Sequence, residues 1–126
     1  MLMESKGFEQ LKVWQKAHSL TLKIYQVTRS FPKEEQFGLI SQIKRACISV
    51  CANIAEGQSK TRKDFLRFLD ISLASLQETK YYLILSKDLA ILDSEKFRDL
   101  IQSTDEVGKM LHGLKKAIKT KISNHS

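Results

Sequence analysis

The chain has 126 residues, of which 42% are hydrophobic, so it is long enough for one domain with a real core. Five glycines and a single proline argue against a loop-rich β fold and favour long helices. Lys and Arg number 21 against 14 acidic residues, and the resulting net charge of +7 favours polyanionic partners.

The sequence also bears on cellular location. Its first residues lack a charged-then-apolar leader of the secretory kind. The longest mostly apolar run, Ala46 to Ala55, has about half the length that a membrane span needs. We therefore expect a cytoplasmic protein with no membrane partner.

The first predicted helix covers about residues 9–30. Its apolar residues repeat at spacings of three and four, which is the pattern of one helical stripe. These residues are Val13, Ala17, Leu20, Ile24 and Val27. Phe31 and Pro32 end this helix, and Pro32 suits the first turn of the next one.

The second predicted helix covers about residues 33–56, with Gly57 as its expected C-terminal stop. Its main apolar stripe consists of Ile40, Ile43, Cys47, Val50 and Ile54. A narrow polar strip lies opposite and contains Gln42, Arg45, Ser49, Asn53 and Glu56. A third face is also apolar, so this helix has more apolar surface than one core requires.

The third and fourth predicted helices cover about residues 62–89 and 95–121. Thr61 and Asp64 have the spacing of a capping box at the start of the third helix. The fourth helix keeps a strict spacing of three and four from Phe97 to Ile118, a period that predicts left-handed supercoiling. Because the links are short, neighbouring helices should be antiparallel. The predicted fold is therefore an all-α, up-down-up-down four-helix bundle forming a single domain over residues 1–126.

Several apolar residues fall outside the core stripes of the second and third helices. One bundle cannot bury them all, so we expect them to form an oligomer interface. They are Phe37, Ile48, Ala55, Ile71, Leu85 and Leu89.

Signatures of catalysis are missing from the sequence. There is no Gly-rich phosphate loop and no HExxH or GxSxG motif, and no histidine follows a Glu by three positions as di-iron bundles require. Cys47 and Cys51 share a helix face and are interpreted as small core residues. We expect no enzymatic activity, no cofactor, no metal and no small-molecule substrate.

Basic clusters are the positive functional signal, because lysine and arginine can bind phosphates without reading bases. Each cluster alone could equally be a solvated face, and a lysine-rich helix end also follows from the helix dipole. Together they predict nucleic-acid contact through Lys12, Lys16, Lys23, Lys60, Arg62, Lys63, Arg67, Lys109, Lys115, Lys116, Lys119 and Lys121.

Two further groups of residues have two interpretations each. Trp14, Tyr25, Tyr81 and Tyr82 could stack on bases, but packing at a bundle edge or subunit interface is the more common role. Asn53 and Glu56 could belong to a site, and the simpler account is hydrogen bonding near a helix end or across subunits.

Three segments carry a family resemblance: "FEQLKVWQKA" at residues 8–17, "FPKEEQFGLISQIKRACISVCANIAEG" at residues 31–57 and "FLRFLDISLASLQE" at residues 65–78. They resemble the bacterial four-helix-bundle family encoded in intervening sequences of large-subunit ribosomal RNA genes. The likeness covers roughly residues 8–90, and its most specific part is the NIAEG segment with the upstream FGL. The chain departs from the family at Ala74, where glycine is usual, so a close helix approach there should be loosened.

The resemblance implies a homopentameric ring and kinship with accessory proteins of diversity-generating retroelements, which are basic and bind nucleic acid and a reverse transcriptase. It implies no enzymatic activity. The sequence thus predicts a non-enzymatic basic oligomer that binds structured RNA or RNA–DNA through phosphates. The alternative is a protein-interaction scaffold, for example a reverse transcriptase adaptor, with no direct role in nucleic-acid binding.

Overall fold

A computed structural model describes residues 7–124, and within that range the chain is helical and contains no strand. Residues 7–124 form four α-helices: α1 (Lys12–Thr28), α2 (Ser41–Gln58), α3 (Arg62–Asp88) and α4 (Ser94–Asn124). Short 3₁₀ helices cover Phe8–Gln10 and Lys33–Glu35, and a π-helical turn covers Gln36–Ile40. The all-α four-helix bundle expected from the sequence is confirmed.

Contacts between side chains set the antiparallel register of the bundle. Ser49 Oγ lies 2.7 Å from Ser75 Oγ, and the Ser72 hydroxyl donates to the Val50 carbonyl at 2.6 Å, which fixes α2 against α3. On α2's other side, the Thr21 hydroxyl lies 3.3 Å from the Cys47 carbonyl oxygen. Ion pairs then join α4 to its two neighbours, Lys16 to Glu106 at 3.6 Å and Lys80 to Asp105 at 3.0 Å.

The predicted apolar stripes of all four helices line one core. Its fully buried side chains come from every helix, and the largest are Leu20, Ile24, Ile43, Ile54, Leu69, Leu83, Leu100 and Leu111. Burial of this kind contributes about 1.5–3 kcal/mol per large apolar side chain, so the core is the main source of stability.

The start of α2 differs from the continuous helix predicted from residue 33. Residues 33–40 form a 3₁₀ turn followed by the π-helical turn, and regular α-helix begins only at Ser41. Phe31 is buried just before this segment and Leu39 is buried within it, while Phe37 points outward with 90% of its surface exposed. The irregular turns let the chain bury its two anchors and still place Phe37 in solvent.

Gly57 does not act as the helix stop that the sequence predicts. Helix α2 continues through it to Gln58, and no glycine among the described residues has a positive φ. Gly57 is buried where α2 meets the first turns of α3. A Cβ there would lie 2.6 Å from Phe68 Cβ and 2.7 Å from Phe65 Cδ1, so glycine is required for close packing. The expected cap of α3 is present, since Thr61 Oγ1 accepts from the Asp64 amide at 3.2 Å.

Candidate nucleic-acid and oligomer interfaces

Two basic clusters that are far apart in sequence meet at one end of the bundle. The turn between α2 and α3 carries Lys60, Arg62 and Lys63, and α3 continues through Arg67 to Asp70. Asp70 forms an ion pair with Lys115 of α4, and the Lys115 side chain is only 18% exposed. The pair holds the lysine-rich end of α4 beside the basic turn. Because α1 begins at the same end, it adds Lys12.

This arrangement divides the molecule into two halves of different charge. We define the basic half as residues 7–16, 50–75 and 106–124, and the neutral half as residues 17–49 and 76–105. The basic half has 11 Lys and Arg residues against 5 acidic ones, while the neutral half has 9 against 8. Nearly all of the net charge of +7 therefore lies in one half.

Five of the predicted nucleic-acid residues have acidic partners within the chain. Lys16 pairs with Glu106 at 3.6 Å, and Lys23 pairs with Asp99 at 3.4 Å in the neutral half. Lys60 and Arg67 pair weakly with residues close to them in sequence, Glu56 at 3.9 Å and Asp64 at 3.6 Å. The charges of these four cations and of Lys115 are therefore partly neutralised by ion pairs within the chain.

Exposed cations without an acidic partner among residues 7–124 occur in both halves, for example Arg29, Lys33 and Arg98 in the neutral half. Six of the predicted nucleic-acid residues are of this kind, and all six lie in the basic half. They are Lys12, Arg62, Lys63, Lys109, Lys116 and Lys119. Lys116 and Lys119 line a shallow hollow of about 400 Å³ together with His112 and Lys115. Lys121 is also exposed, and its charge adds to the same end of the bundle. Such a surface can bind phosphates and has no built geometry for reading bases.

An apolar groove of about 440 Å³ runs between α1 and α2. The predicted interface residues Ile48 and Ala55 line it from α2, and Phe37 is exposed in the π-helical turn that precedes α2. The opposite wall belongs to α1. Its apolar and aromatic residues are Trp14, Leu22 and Tyr25, with His18 stacked on Trp14 at 4.8 Å between ring centroids. The sequence favours packing of Trp14 and Tyr25 at a bundle edge or subunit interface, but it neither indicates Leu22 nor places these residues in one groove.

The other three predicted interface residues lie on the outer side of α3, next to α2. Ser75, one turn after Ile71, contacts Ser49 of α2 and so fixes this orientation. Ile71 and Leu89 are exposed, whereas Leu85 is half-buried and packs against the core. We call Ile71, Leu85 and Leu89 the α3 row. Helix α2 therefore lies between two separate apolar surfaces.

The four aromatic residues with two interpretations each contact another side chain within the described structure. Trp14 packs edge-on against Phe8, and Lys44 Nζ lies 4.5 Å from the centre of the Tyr25 ring. Tyr81 and Tyr82 lie in the neutral half with ring centroids 5.7 Å apart. Each ring already has a partner within the chain, and none belongs to the surface of unpaired cations.

The polar strip of α2 is used partly inside the chain. The Asn53 amide nitrogen donates to the Ser49 carbonyl at 2.9 Å and to the Ser49 hydroxyl at 3.0 Å. Ser49 in turn contacts Ser75 of α3, so Asn53 supports the α2–α3 contact. Glu56 is exposed and pairs with Lys60. Asn53 is therefore used in hydrogen bonds within the chain, and Glu56 is used in an ion pair near the end of the helix.

The two cysteines behave as core residues. Cys47 is buried, Cys51 is half-buried, and both are free thiols. Burial raises the pKa of the Cys47 thiol to about 11 and also raises the pKa of the Cys51 thiol. Both therefore stay protonated near neutral pH, in which form they are poor nucleophiles and poor metal ligands.

Within residues 7–124, no three His, Cys, Asp or Glu side chains are grouped so that they could hold a metal ion. None of the helices in that range combines the length and hydropathy that a bilayer span requires.

Comparison with known proteins places the chain in a family. The family model for 23S rRNA-intervening sequence proteins matches residues 9–113. The chain belongs to this family. A solved structure from the S23 ribosomal protein family of Bacteroides thetaiotaomicron, a protein described as having unknown function, is similar in fold. It is 28% identical with a TM-score of 0.76, and the match covers 82% of this chain and 95% of the other. No curated protein matches the chain.

Membership of the 23S rRNA-intervening sequence family confirms the resemblance drawn from the NIAEG and FGL segments. The relation to retroelement accessory proteins stays a prediction, because neither match concerns those proteins. The family position at Ala74 has a role that the sequence did not suggest. Ala74 is exposed and lines a hollow of about 620 Å³ between α3 and α4, opposite Gly108, so it does not mediate a close helix contact.

Proposed function

We propose that this intervening-sequence protein is a non-enzymatic oligomer that binds structured RNA or RNA–DNA through phosphate contacts made by its basic half. The single observation that carries the proposal is the concentration of net charge, since the basic half has 11 Lys and Arg residues against 5 acidic ones and the neutral half has 9 against 8. Each cation that neutralises a phosphate releases condensed counterions, which favours binding and makes it depend on salt. Sequence readout is not part of the proposal.

Self-association is the second element of the proposal, and the two apolar surfaces beside α2 support it. The exposed apolar residues from Phe37, just before α2, to Ala55 in the groove and those of the α3 row from Ile71 to Leu89 are each separated by 18 residue steps, or about 27 Å of helix. Two unlike surfaces of equal length on one chain are suited to a heterologous contact between copies.

The heights of the two surfaces along the bundle also match. In the antiparallel register set by Ser49 and Ser75, Ile71 lies near the height of Ala52, and Leu89 lies near the height of Phe37. Glu78, an exposed acid within the α3 row, then lies near the height of Lys44, the cation over Tyr25 at the groove. If two copies lay side by side without an axial shift, the apolar groove of one would face the α3 row of the other, and Lys44 would face Glu78.

A heterologous contact closes into a ring when the rotation between copies permits it. The groove and the α3 row lie on adjacent sides of the bundle, which are roughly at a right angle, and this favours a ring of few subunits. The family resemblance implies five. A pentamer would bring together five basic halves and enlarge the phosphate-binding surface accordingly.

Binding is tested with two variants of equal net charge. Lys63, Lys116 and Lys119 are changed to Gln in the basic half, and Arg29, Lys33 and Arg98 are changed to Gln in the neutral half as the control. Binding of an RNA hairpin is measured by fluorescence anisotropy as a function of salt. We expect the first variant to lose at least about tenfold in affinity and about three units of salt slope, and the control to keep both. Equal losses in both variants would contradict the proposal.

Self-association is tested by sedimentation velocity on the purified protein. We expect an assembly of about five subunits, and we expect Ile48→Glu in the groove or Ile71→Glu in the α3 row to dissociate it. Because the contact is heterologous, a mixture of the two variants retains one intact pair of surfaces and should form mixed dimers. A wild-type protein that stays monomeric at micromolar concentration would remove the oligomer from the proposal.

A scaffold function is the second candidate, and one observation favours it. Tyr81 and Ile84 are exposed on the neutral half, outside both surfaces proposed for self-association. They could contact another protein, and a reverse transcriptase is the partner that the resemblance implies. Protein that binds neither RNA nor RNA–DNA hybrids in the anisotropy assay, yet forms a stoichiometric complex with a purified reverse transcriptase, would favour this alternative.

A further inference from the structure

The charge division and the two apolar surfaces together have a consequence for how the ring assembles. In a ring built from heterologous contacts, the copies are related by rotation about a single axis. The groove and the α3 row match in height without an axial shift, so the bundles stand side by side and point the same way. All basic halves then lie on the same rim of the ring, and all neutral halves lie on the other.

We propose that ring assembly and polyanion binding are coupled: the basic halves repel one another in the empty ring, and a polyanion bridging neighbouring copies removes that repulsion. The proposal rests on the self-association and phosphate binding proposed above. It adds that the binding site is composite, with cations of two adjacent protomers contacting one nucleic-acid molecule. It also adds that each process strengthens the other.

The charges are large enough for such an effect. The basic half carries six more cationic than acidic residues, and the neutral half only one more. Neighbouring bundle axes would be about 20 Å apart, given helix diameters of about 10 Å and two layers of helices. The Debye length is about 8 Å at 0.15 M salt and about 30 Å at 0.01 M salt. Repulsion between neighbours is therefore mostly screened in the first condition and effective in the second.

Two opposite salt dependences follow. Phosphate binding weakens as salt rises, because counterion release contributes less. Assembly of the protein without nucleic acid should instead strengthen as salt rises, because the repulsion between basic halves is screened. The same lysines would not show both behaviours if the charge were spread evenly over the chain. They would not show both, either, if neighbouring bundles pointed in opposite directions.

Coupling of this kind is reciprocal by thermodynamic necessity. If a polyanion binds the assembled ring more tightly than the separate chains, then adding the polyanion must shift the chains toward the ring by the same factor. A short RNA hairpin should therefore promote assembly at low salt, and ring formation should tighten RNA binding.

Sedimentation velocity at about 0.01 M and about 0.15 M salt, with and without a short RNA hairpin, tests the proposal. Without RNA, we expect the protein concentration at half-assembly to be at least about tenfold higher at the lower salt. Addition of the hairpin at low salt should restore the subunit number found at the higher salt. Heparin in place of the hairpin should do the same, because the effect requires charge and no sequence.

Matched variants show whether the location of the charge matters. Changing Lys63, Lys116 and Lys119 to Gln halves the excess charge of the basic half and should make assembly of the RNA-free protein much less dependent on salt. Changing Arg29, Lys33 and Arg98 to Gln removes the same charge from the neutral half and should leave the salt dependence as in the wild type. Identical behaviour of the two variants would overturn the inference.

The remaining outcomes separate this inference from the proposed function. RNA that binds with no change in subunit number, together with assembly that does not depend on salt, would overturn the coupling and leave phosphate binding intact. A protein that assembles but binds neither RNA nor heparin at either salt would overturn the proposed function itself, and the coupling with it.

Discussion

The two turns that connect α3 to its neighbours perform the same task in different ways. The α2–α3 turn, in the basic half, is tight: Gly57 lets the two helices approach, Thr61 caps α3, and the surrounding exposed residues are charged. The α3–α4 turn, in the neutral half, contains Ala90 with a φ of 59°, in the left-handed region that favours glycine, and it leaves Leu89 exposed.

The two ends differ in the reason for the residue that each one has, Gly57 at the α2–α3 end and Ala90 in the α3–α4 turn. One turn requires glycine where no positive φ is present, because a methyl group would collide with two phenylalanine side chains. The other has alanine where glycine would be conformationally easier. Helix geometry alone therefore does not set the two ends of this bundle. Packing sets the basic end, and the neutral end tolerates backbone strain beside an exposed apolar residue.

The largest expected effect is that of Gly57→Ala at the tight turn. The new methyl group would lie within 3 Å of Phe65 and Phe68, and the two helices would have to separate. We expect the free energy of unfolding to fall by about 1–3 kcal/mol, as for other overpacked sites. Urea unfolding at fixed protein concentration measures this change. An unchanged midpoint would show that the turn is not as tightly packed as the distances indicate.

A glycine in the middle of α4 provides the control for that substitution. A Cβ at Gly113 would have nothing within 4 Å, so Gly113→Ala gains helix propensity without a collision. We expect this variant to be more stable by up to about 1 kcal/mol in the same urea assay. Opposite signs at Gly57 and Gly113 would show that packing decides the first, whereas a loss at both would point to a shared need for flexibility.

At the strained α3–α4 turn, we expect a substitution to raise the free energy of unfolding, in contrast to Gly57→Ala at the α2–α3 end. Ala90→Gly relieves the strain of the positive φ, which should raise the free energy of unfolding by about 0.5–1 kcal/mol. The net gain is smaller, because glycine has more conformational entropy than alanine in the unfolded chain. Thermal unfolding followed by circular dichroism would detect this shift. A lower midpoint for Ala90→Gly would mean that the alanine methyl group contributes packing that outweighs its backbone strain.

The smallest effects are expected from two ion pairs between α3 and α4, one in each half. Asp70→Asn breaks the pair with the mostly buried Lys115, and Asp105→Asn breaks the more exposed pair with Lys80. Exposed pairs contribute about 0.2–1 kcal/mol, so we expect Asp70→Asn to lie at the upper end of that range and Asp105→Asn at the lower end. Urea unfolding of both single variants at low and high salt would rank them, and a larger loss for Asp105→Asn would reverse the comparison.

Periodicity was sufficient to predict the helices and the core because every helix has an apolar stripe at spacings of three and four. It was not sufficient for the start of α2, where Phe31 and Leu39 are anchored by tertiary contacts that local sequence does not reveal. Gly57 was misinterpreted for a related reason. A glycine at the end of a helical pattern usually marks a stop, and only the position of Phe65 and Phe68 shows that close approach is what requires it.

The candidate interfaces could be predicted only as sets of residues. Sequence spacing identified the exposed apolar residues of α2 and α3, but it did not reveal that Trp14, Leu22 and Tyr25 complete a groove. A usable signal existed, because Leu22 and Tyr25 fall off the apolar stripe of α1. The convergence of Lys63 with Lys116 depends on the antiparallel pairing of α3 and α4, and so does the pairing of Lys115 with Asp70. Such contacts arise only from the assembled fold.

The hydroxyl contacts between α2 and α3 have a consequence for the dynamics of the molecule. Ser72 and Ser75 are small enough to let the backbones come close, and their hydroxyl groups reach a carbonyl and a serine of α2. Local opening of this helical hairpin would break these bonds together with the packing around Gly57. Amide protons of Val50, Ile54 and Leu69 should therefore exchange with deuterium only through global unfolding. Those near Gly113 should exchange through local fluctuations that require less free energy.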